Sequence, residues 1–160
     1  MISINYIQAG VCRINQCYLE HIEEKFYRQV FMFTGLSAFP VTPFRREAID
    51  LHAMARLLTN LRDARPDSIC VMGSTGLYPY LTPAEKQQVI QLAVEQADGI
   101  PVMAGIGALL TREVLANAQQ AQQAGASALL LAPMAYHPLN SDEVYHLFEQ
   151  VCREVSVPIC

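Results

Sequence analysis

The chain has 160 residues, 52% of them hydrophobic and 16% charged, with a formal net charge of -4. That is enough chain for one ordinary domain with a sizeable core, and the composition excludes a disordered protein. The acidic balance and the lack of a Lys/Arg cluster exclude a non-specific nucleic-acid binder, and no apolar run reaches the length that crosses a bilayer.

Five cysteines (Cys12, Cys17, Cys70, Cys152, Cys160) contain no CxxC pair. Neither a disulfide framework nor a zinc site is expected from them, and a reducing cytoplasm is the expected compartment. Cys70 and Cys152 lie in apolar segments and read as small buried hydrophobes.

Residues 1–31 fit poorly with the rest of the chain and read as an N-terminal extension, with Met32 as the expected natural start. Tyr18 to Val30 carries Leu19, Ile22, Phe26 and Val30 at a loosely helical spacing. From Phe33 the texture changes. A strand over Phe33–Phe39 is followed by Pro40-Val41-Thr42-Pro43-Phe44, then by a helix over Asp50–Arg62 with Ile49, Ala53, Leu57 and Leu61 on one side. A buried strand is expected at Ile69–Met72. Thr82 is placed to N-cap the next helix, with Pro83 in its first turn and Glu85 closing a capping box. Val89, Ala93 and Ala97 line that helix and Gly99 stops it. A third strand spans Pro101–Ile106, and a third helix, capped by Thr111, runs to Gly125. A fourth strand spans Ala128–Ala132, a fourth helix is capped by Ser141, and Val157–Cys160 begins a fifth strand.

Between the Ile69–Met72 strand and the Thr82 helix lies Gly73-Ser74-Thr75-Gly76. Glycines allow a sharp turn with exposed N–H groups, and the two hydroxyls add side-chain donors, so the loop is suited to a carboxylate or phosphate. A plain turn is the competing reading. The βα units recur at about thirty residues, which fits either an open doubly wound parallel sheet or a (β/α)8 barrel cut in half. Periodicity does not separate the two.

The motifs do. Gly35-Leu36-Ser37-Ala38-Phe39-Pro40-Val41-Thr42-Pro43-Phe44, Gly73-Ser74-Thr75-Gly76 with Leu81-Thr82-Pro83-Ala84-Glu85, Pro101-Val102-Met103-Ala104-Gly105-Ile106-Gly107, and Ala126 to Pro138 with Tyr136-His137-Pro138-Leu139 succeed one another in order. Together they resemble the dihydrodipicolinate synthase / N-acetylneuraminate lyase family over Met32 to Cys160. The resemblance implies the α/β fold of a TIM barrel, here its first four βα units plus the start of strand five. It also implies a class I lyase or aldolase that makes or breaks a carbon–carbon bond through a Schiff base between pyruvate, or another 2-keto acid, and a lysine. No cofactor or metal is expected, charge and hydropathy leave no nucleic-acid or membrane partner expected, and the resemblance implies a homo-oligomer at full length. The family's carboxylate-holding hydroxyls map onto Ser74 and Thr75, flanked by Gly73 and Gly76, and its relay tyrosine maps onto Tyr136.

Departures accompany the match. Leu77 stands where the family has Glu, and Met134-Ala135 precedes Tyr136 where an aromatic is common. The family's Tyr-Asn-x-Pro segment after strand five and its Schiff-base lysine at the end of strand six have no counterpart in this sequence. Its lysines are Lys25, in the extension, and Lys86, in a first helical turn and expected to be solvated. The sequence as given is therefore expected to be inactive alone. The alternative is a non-catalytic short relative that binds a keto acid or associates with an intact paralogue; a phosphate-binding open α/β domain ranks behind both. His52 and His146 read as surface or core residues, and His137 as a candidate substrate contact. Two open sheet edges and an uncovered inner face are expected to make the chain aggregation-prone unless another half completes it.

Overall fold

The computed structural model describes residues 34–160, together with the backbone of a short strand at Ser3–Tyr6. The helical pattern over Tyr18–Val30 lies outside the described residues.

Five strands form the main sheet: β1 (Ser3–Tyr6), β2 (Leu36–Phe39), β5 (Ser68–Val71), β6 (Val102–Gly105) and β7 (Ala128–Leu130), side by side in that order. A second sheet is a two-residue ribbon of β3 (Phe44–Arg45) and β4 (Ala48–Ile49). The helices are α1 (Leu51–Ala64), α2 (Pro83–Gln96), α3 (Thr111–Gln123) and α4 (Ser141–Glu154). Strands β2, β5, β6 and β7 are mutually parallel, while β1 runs antiparallel to β2 with Ser3 opposite Phe39 and Tyr6 opposite Leu36. Ile159 adds a parallel bridge to Leu129, so the fifth parallel strand begins where the sequence places it.

The two faces of the sheet are chemically distinct, as the two-residue period of a strand requires. Ala38, Ile69, Val71, Val102, Ala104 and Leu129 point toward the helices. There they join Met54 and Leu58 of α1, Val89, Ile90 and Ala93 of α2, Val114, Ala118 and Ala121 of α3, and Val151 of α4 in one core. Phe39, Cys70, Met103 and Ala128 point the other way and form a separate cluster with Leu130 and Cys160, containing no residue of any described helix. The parallel strands lie in chain order with every described helix on one face. A doubly wound sheet instead reverses its strand order and carries helices on both faces, whereas sequential strands with a single outer helix layer build a barrel. The arrangement is the first half of a (β/α)8 barrel.

Local chemistry explains the elements and corrects several of the expected boundaries. Thr82 and Glu85 form the anticipated capping box: the Thr82 N–H donates to Glu85 Oε2 at 2.8 Å and the Glu85 N–H donates to Thr82 Oγ1 at 3.3 Å. The Thr82 hydroxyl and N–H together hold the Glu85 carboxyl below its usual range. The cap of α4 is Asn140, not Ser141: the Asn140 side chain accepts the Glu143 N–H at 2.9 Å and Glu143 answers to the Asn140 N–H. Nor does Thr111 cap α3. It is the first helical residue, and Leu110 before it offers no side-chain acceptor. In α1 the buried stripe is Met54, Leu58 and Leu61, where the sequence pattern turns Ala53 and Leu57 inward. Two apolar stripes overlap there, and the one that carries Met54 in place of Ala53 takes the core.

Two expectations about the half-barrel are also revised. One sheet edge is not open, because β1 pairs along β2. The inner face is not bare, because Cys70, Met103 and Ala128 have no solvent exposure and Phe39 only 9%. That burial pushes the Cys70 thiol well above its usual range, with the nearby Cys160 adding to the shift.

β5 ends in a tight reversal in which Met72 takes φ +58, a left-handed conformation that costs a non-glycine residue about 1–2 kcal/mol. The adjacent strand end must leave room for it: a Cβ on Gly105 would collide with the Met72 carbonyl. Gly105→Ala is therefore expected to lower the unfolding free energy by about 3 kcal/mol through overpacking against backbone. Gly99→Ala, where φ is +83 but nothing lies within 4 Å of the added carbon, is expected to cost about 1 kcal/mol. Urea unfolding of the two variants side by side measures both, and equal losses would refute the close-approach argument.

Candidate functional site

Barrel chemistry is done at the C-terminal ends of the strands, and there the four parallel strands send out loops that are bonded to one another. The loop after β5 is a 3₁₀ turn over Ser74–Gly76, closed by the Gly76 N–H donating to the Gly73 carbonyl at 2.9 Å. It is anchored to the loop after β2 at two points. The buried Thr42 hydroxyl donates to the Gly76 carbonyl at 2.7 Å, and Thr75 Oγ1 donates to the Phe39 carbonyl at 3.5 Å. A Cβ on Gly73 would stand 2.6 Å from the Phe39 ring, so the turn begins in direct contact with the inner-face cluster.

The loop after β6 joins through Gly107. A Cβ there would meet the Tyr78 hydroxyl and the Ala132 carbonyl, each at 2.9 Å. Only a residue without a side chain lets the β5, β6 and β7 loops touch at this point. Tyr78 itself is buried, which pushes its phenol above the usual range.

Of the residues singled out from sequence, Ser74 is exposed at the strand end, Thr75 is half-buried, and Gly73 and Gly76 are buried. The Thr75 bond sits at the long limit for a hydrogen bond, so turning that hydroxyl toward a ligand gives up little. Tyr136 lies in the loop after β7, two strands from β5. It is 90% exposed and packs edge-on against the His137 ring at a centroid distance of 4.9 Å. Loop and tyrosine thus share one end of the sheet, with β6 between them. Leu77 takes φ +56 and is 41% exposed. Where the motif carries a carboxylate, this site has an apolar side chain beside water.

Two positions that matter to the site carry no clear signal in the sequence. Thr42 lies inside a motif without an assigned role. A hydroxyl between two prolines is its only mark, and its partner is 34 residues away. The second is Lys86, which is not solvated as expected: it is only 9% exposed. Its Nζ donates to Asn117 Oδ1 at 3.5 Å, and Asn117 Nδ2 donates to the Ile106 carbonyl at 3.2 Å, a chain of contacts from α2 through α3 to the end of β6. Helix α3 lies over the Lys86 side of α2, which periodicity within α2 does not reveal. Desolvation holds the Lys86 amine below its usual range, partly offset by the carboxylate of Glu113. Among the described residues no group of three or more His, Cys, Asp or Glu is placed to hold a metal ion, and no helix is long and apolar enough to cross a membrane.

Sequential parallel strands, one outer helix layer and interlocked loops at the strand C-termini define the class: the N-terminal half of an enzyme-type α/β barrel. The chain belongs to the dihydrodipicolinate synthetase family, whose model matches residues 32–160. A 4-hydroxy-tetrahydrodipicolinate synthase of Persephonella marina is 35% identical over 129 residues, 80% of this chain and 44% of that protein. The crystal structure of dihydrodipicolinate synthase from Agrobacterium tumefaciens C58 is 45% identical and superposes with a TM-score of 0.77, covering 80% of this chain and 44% of that one. A prophage protein of the dihydrodipicolinic acid synthase family from E. coli K12, solved in complex with pyruvate, is 30% identical with a TM-score of 0.72, over 80% and 44% of the two chains. The chain thus spans about 44% of the length of the relatives it matches.

Lys86 gives a pH test. Its amine titrates lower when folded than when unfolded, so the unfolded chain binds the extra proton in the window between the lowered folded value and about 10.5. Folding stability of the wild type is therefore expected to rise through that window relative to Lys86→Met, which has no amine to desolvate. Urea midpoints at a series of pH values measure it; parallel profiles would mean that Lys86 is solvated after all.

Proposed function

We propose that the Gly73–Gly76 loop holds the carboxylate of pyruvate or another 2-keto acid, and that residues 32–160 are the front half of a lyase working through a lysine Schiff base. The observation that carries this reading is the exposed Ser74 hydroxyl beside the loosely tied Thr75 hydroxyl at the C-terminal end of β5. Hydroxyl donors suit a carboxylate, because charge-assisted hydrogen bonds are the stronger kind. The synthase relatives and the pyruvate complex of the prophage protein support the same ligand class.

In such a reaction the lysine amine attacks the keto carbon and water leaves. The resulting iminium accepts the electron pair of the C–C bond broken in cleavage or of the C–H bond whose proton goes to a base, and the enamine so formed supplies the pair for a new C–C bond or takes up a proton. The part assigned to this chain is to fix the carboxylate and so aim the keto carbon. Thr42 holds the loop's shape through the Gly76 carbonyl. Tyr136, exposed in the β7 loop, is the candidate proton relay, positioned to act toward a neighbouring subunit in a homo-oligomer. The nucleophile is not assigned to any described residue. Lys86 is the lysine of the described residues, and it sits in the first turns of α2 with its amine against Asn117 of α3.

Saturation-transfer NMR with pyruvate tests the cradle. Ser74→Ala and Thr75→Val are each expected to weaken binding about tenfold, roughly 1.4 kcal/mol, while Tyr136→Phe leaves it unchanged; unaltered binding in both loop variants would sink the assignment. Borohydride reduction with pyruvate is expected to leave no lysine adduct on the 160-residue chain, and an adduct at Lys86 would instead make that residue the nucleophile.

A further inference from the structure

A closed barrel of this class pairs its last strand with its first, parallel, along the free edge of the first strand. Here the first barrel strand is β2, and the edge facing away from β5 is taken by β1. The pairing is antiparallel and covers the whole of β2, from Ser3 opposite Phe39 to Tyr6 opposite Leu36. An antiparallel strand belongs to no turn of an all-parallel barrel. It also precedes the family match, which starts at residue 32.

The opposite edge of the sheet is treated differently. Beyond β7 the chain adds its own continuation in parallel: the Leu129 N–H donates to the Pro158 carbonyl at 2.9 Å and the Cys160 N–H donates to the Leu129 carbonyl at 2.8 Å. One edge of the half-barrel therefore grows in the barrel's own sense, and the other is stopped by a strand of the wrong sense.

We propose that Ser3–Tyr6 is an edge cap, a built-in strand that occupies the seam where a C-terminal half-barrel would close onto β2, and so bars that half from docking there until the cap is expelled. The portion excluded is the C-terminal set of βα units that each relative carries beyond the 44% matched here, supplied as a separate half. Exposed edges are templates for strand addition, and a covering strand removes the template. The cap also has the advantage of being tethered. A segment on the same chain presents itself at an effective concentration on the order of mM, which a separate half at micromolar concentration does not match. The identity of the partner half rests on the front-half reading above; the cap does not.

Hydrogen-exchange mass spectrometry on the full chain and on Ile4→Pro reads the cap alone. Proline at position 4, opposite Ala38, fixes the backbone φ and is tolerated poorly inside a paired strand. The expected result is that amides in Leu36–Phe39 are protected in the full chain and exchange at least tenfold faster in the variant, with α2 and α3 unchanged. A chain beginning at Met32 carries the same expectation and serves if Ile4→Pro destabilises the whole domain. Identical exchange at Leu36–Phe39 in all three would overturn the cap. Co-expression with a tagged C-terminal half of the Agrobacterium synthase then reads the partner: capture of the capless chains at least tenfold above that of the full chain supports the proposal. Equal capture, or capture of none of them, refutes the seam assignment even where the exchange result stands.

Discussion

A parallel sheet that carries its helices on one face is left with a second face and two edges that water cannot be allowed to reach freely. Several features of this chain answer that constraint. The second face holds Phe39, Cys70, Met103 and Ala128, a row of modest side chains out of solvent, while the helix-side face carries the larger continuous core. In a full barrel such inward residues meet a facing layer from the other half. One edge is closed by β1 and the other is extended by Pro158–Cys160. The half-barrel thus places backbone hydrogen bonds at its rims where a complete one closes on itself.

The site depends on the same geometry. Its loops hold together by three close approaches: the Thr42 hydroxyl to the Gly76 carbonyl, the Phe39 ring against Gly73, and Tyr78 over Gly107 beside the Ala132 carbonyl. Each joins loops of the four parallel strands β2, β5, β6 and β7, so these contacts lie within the half-barrel itself. Strain gathers at the same place, with Met72 and Leu77 both in the left-handed region on either side of the turn. Two such residues cost a few kcal/mol together. A backbone segment held that way against the core fixes where the Ser74 and Thr75 side chains leave the chain, which the proposed carboxylate reading requires.

Much of this is legible in the residues because it is local. The Thr82–Glu85 capping box, the strand cores at Ile69 and Met103, and the stop at Gly99 are set by periodicity and cap chemistry, which involve residues a few positions apart. Cap assignment fails by one residue at Asn140 and at Thr111, where two polar candidates stand side by side or where the N-cap position falls on an apolar residue, Leu110. What the residues do not reveal is whatever depends on contacts across the fold. The β3–β4 ribbon turns through Arg46 and Glu47, both at positive φ, with none of the glycine or asparagine that marks such turns. Lys86 is buried because α3 lies over it. Nothing within α2 distinguishes its face from a solvated one.

What this chain shares with its family separates cleanly from what is particular to it. The Gly73–Gly76 loop, its contacts and the described helix-side core lie within residues 32–160, the part that matches the family. The strand at Ser3–Tyr6 lies outside it and pairs in a sense that no member of an all-parallel barrel uses for closure. A relic extension would be free to hang loose, since an unpaired tail costs no order. A strand that pairs with all four residues of β2 gives up chain entropy, on the order of 1–2 kcal/mol for each residue fixed, and that loss is met by ladder bonds and by shielding the β2 edge from water and other strands. The register also leaves β2 parallel to β5 and its loop to Thr42 undisturbed. On the two proposals made above, carboxylate recognition and barrel closure are uncoupled: the first would use the C-terminal ends of four strands, and the second would be opposed at the β2 edge.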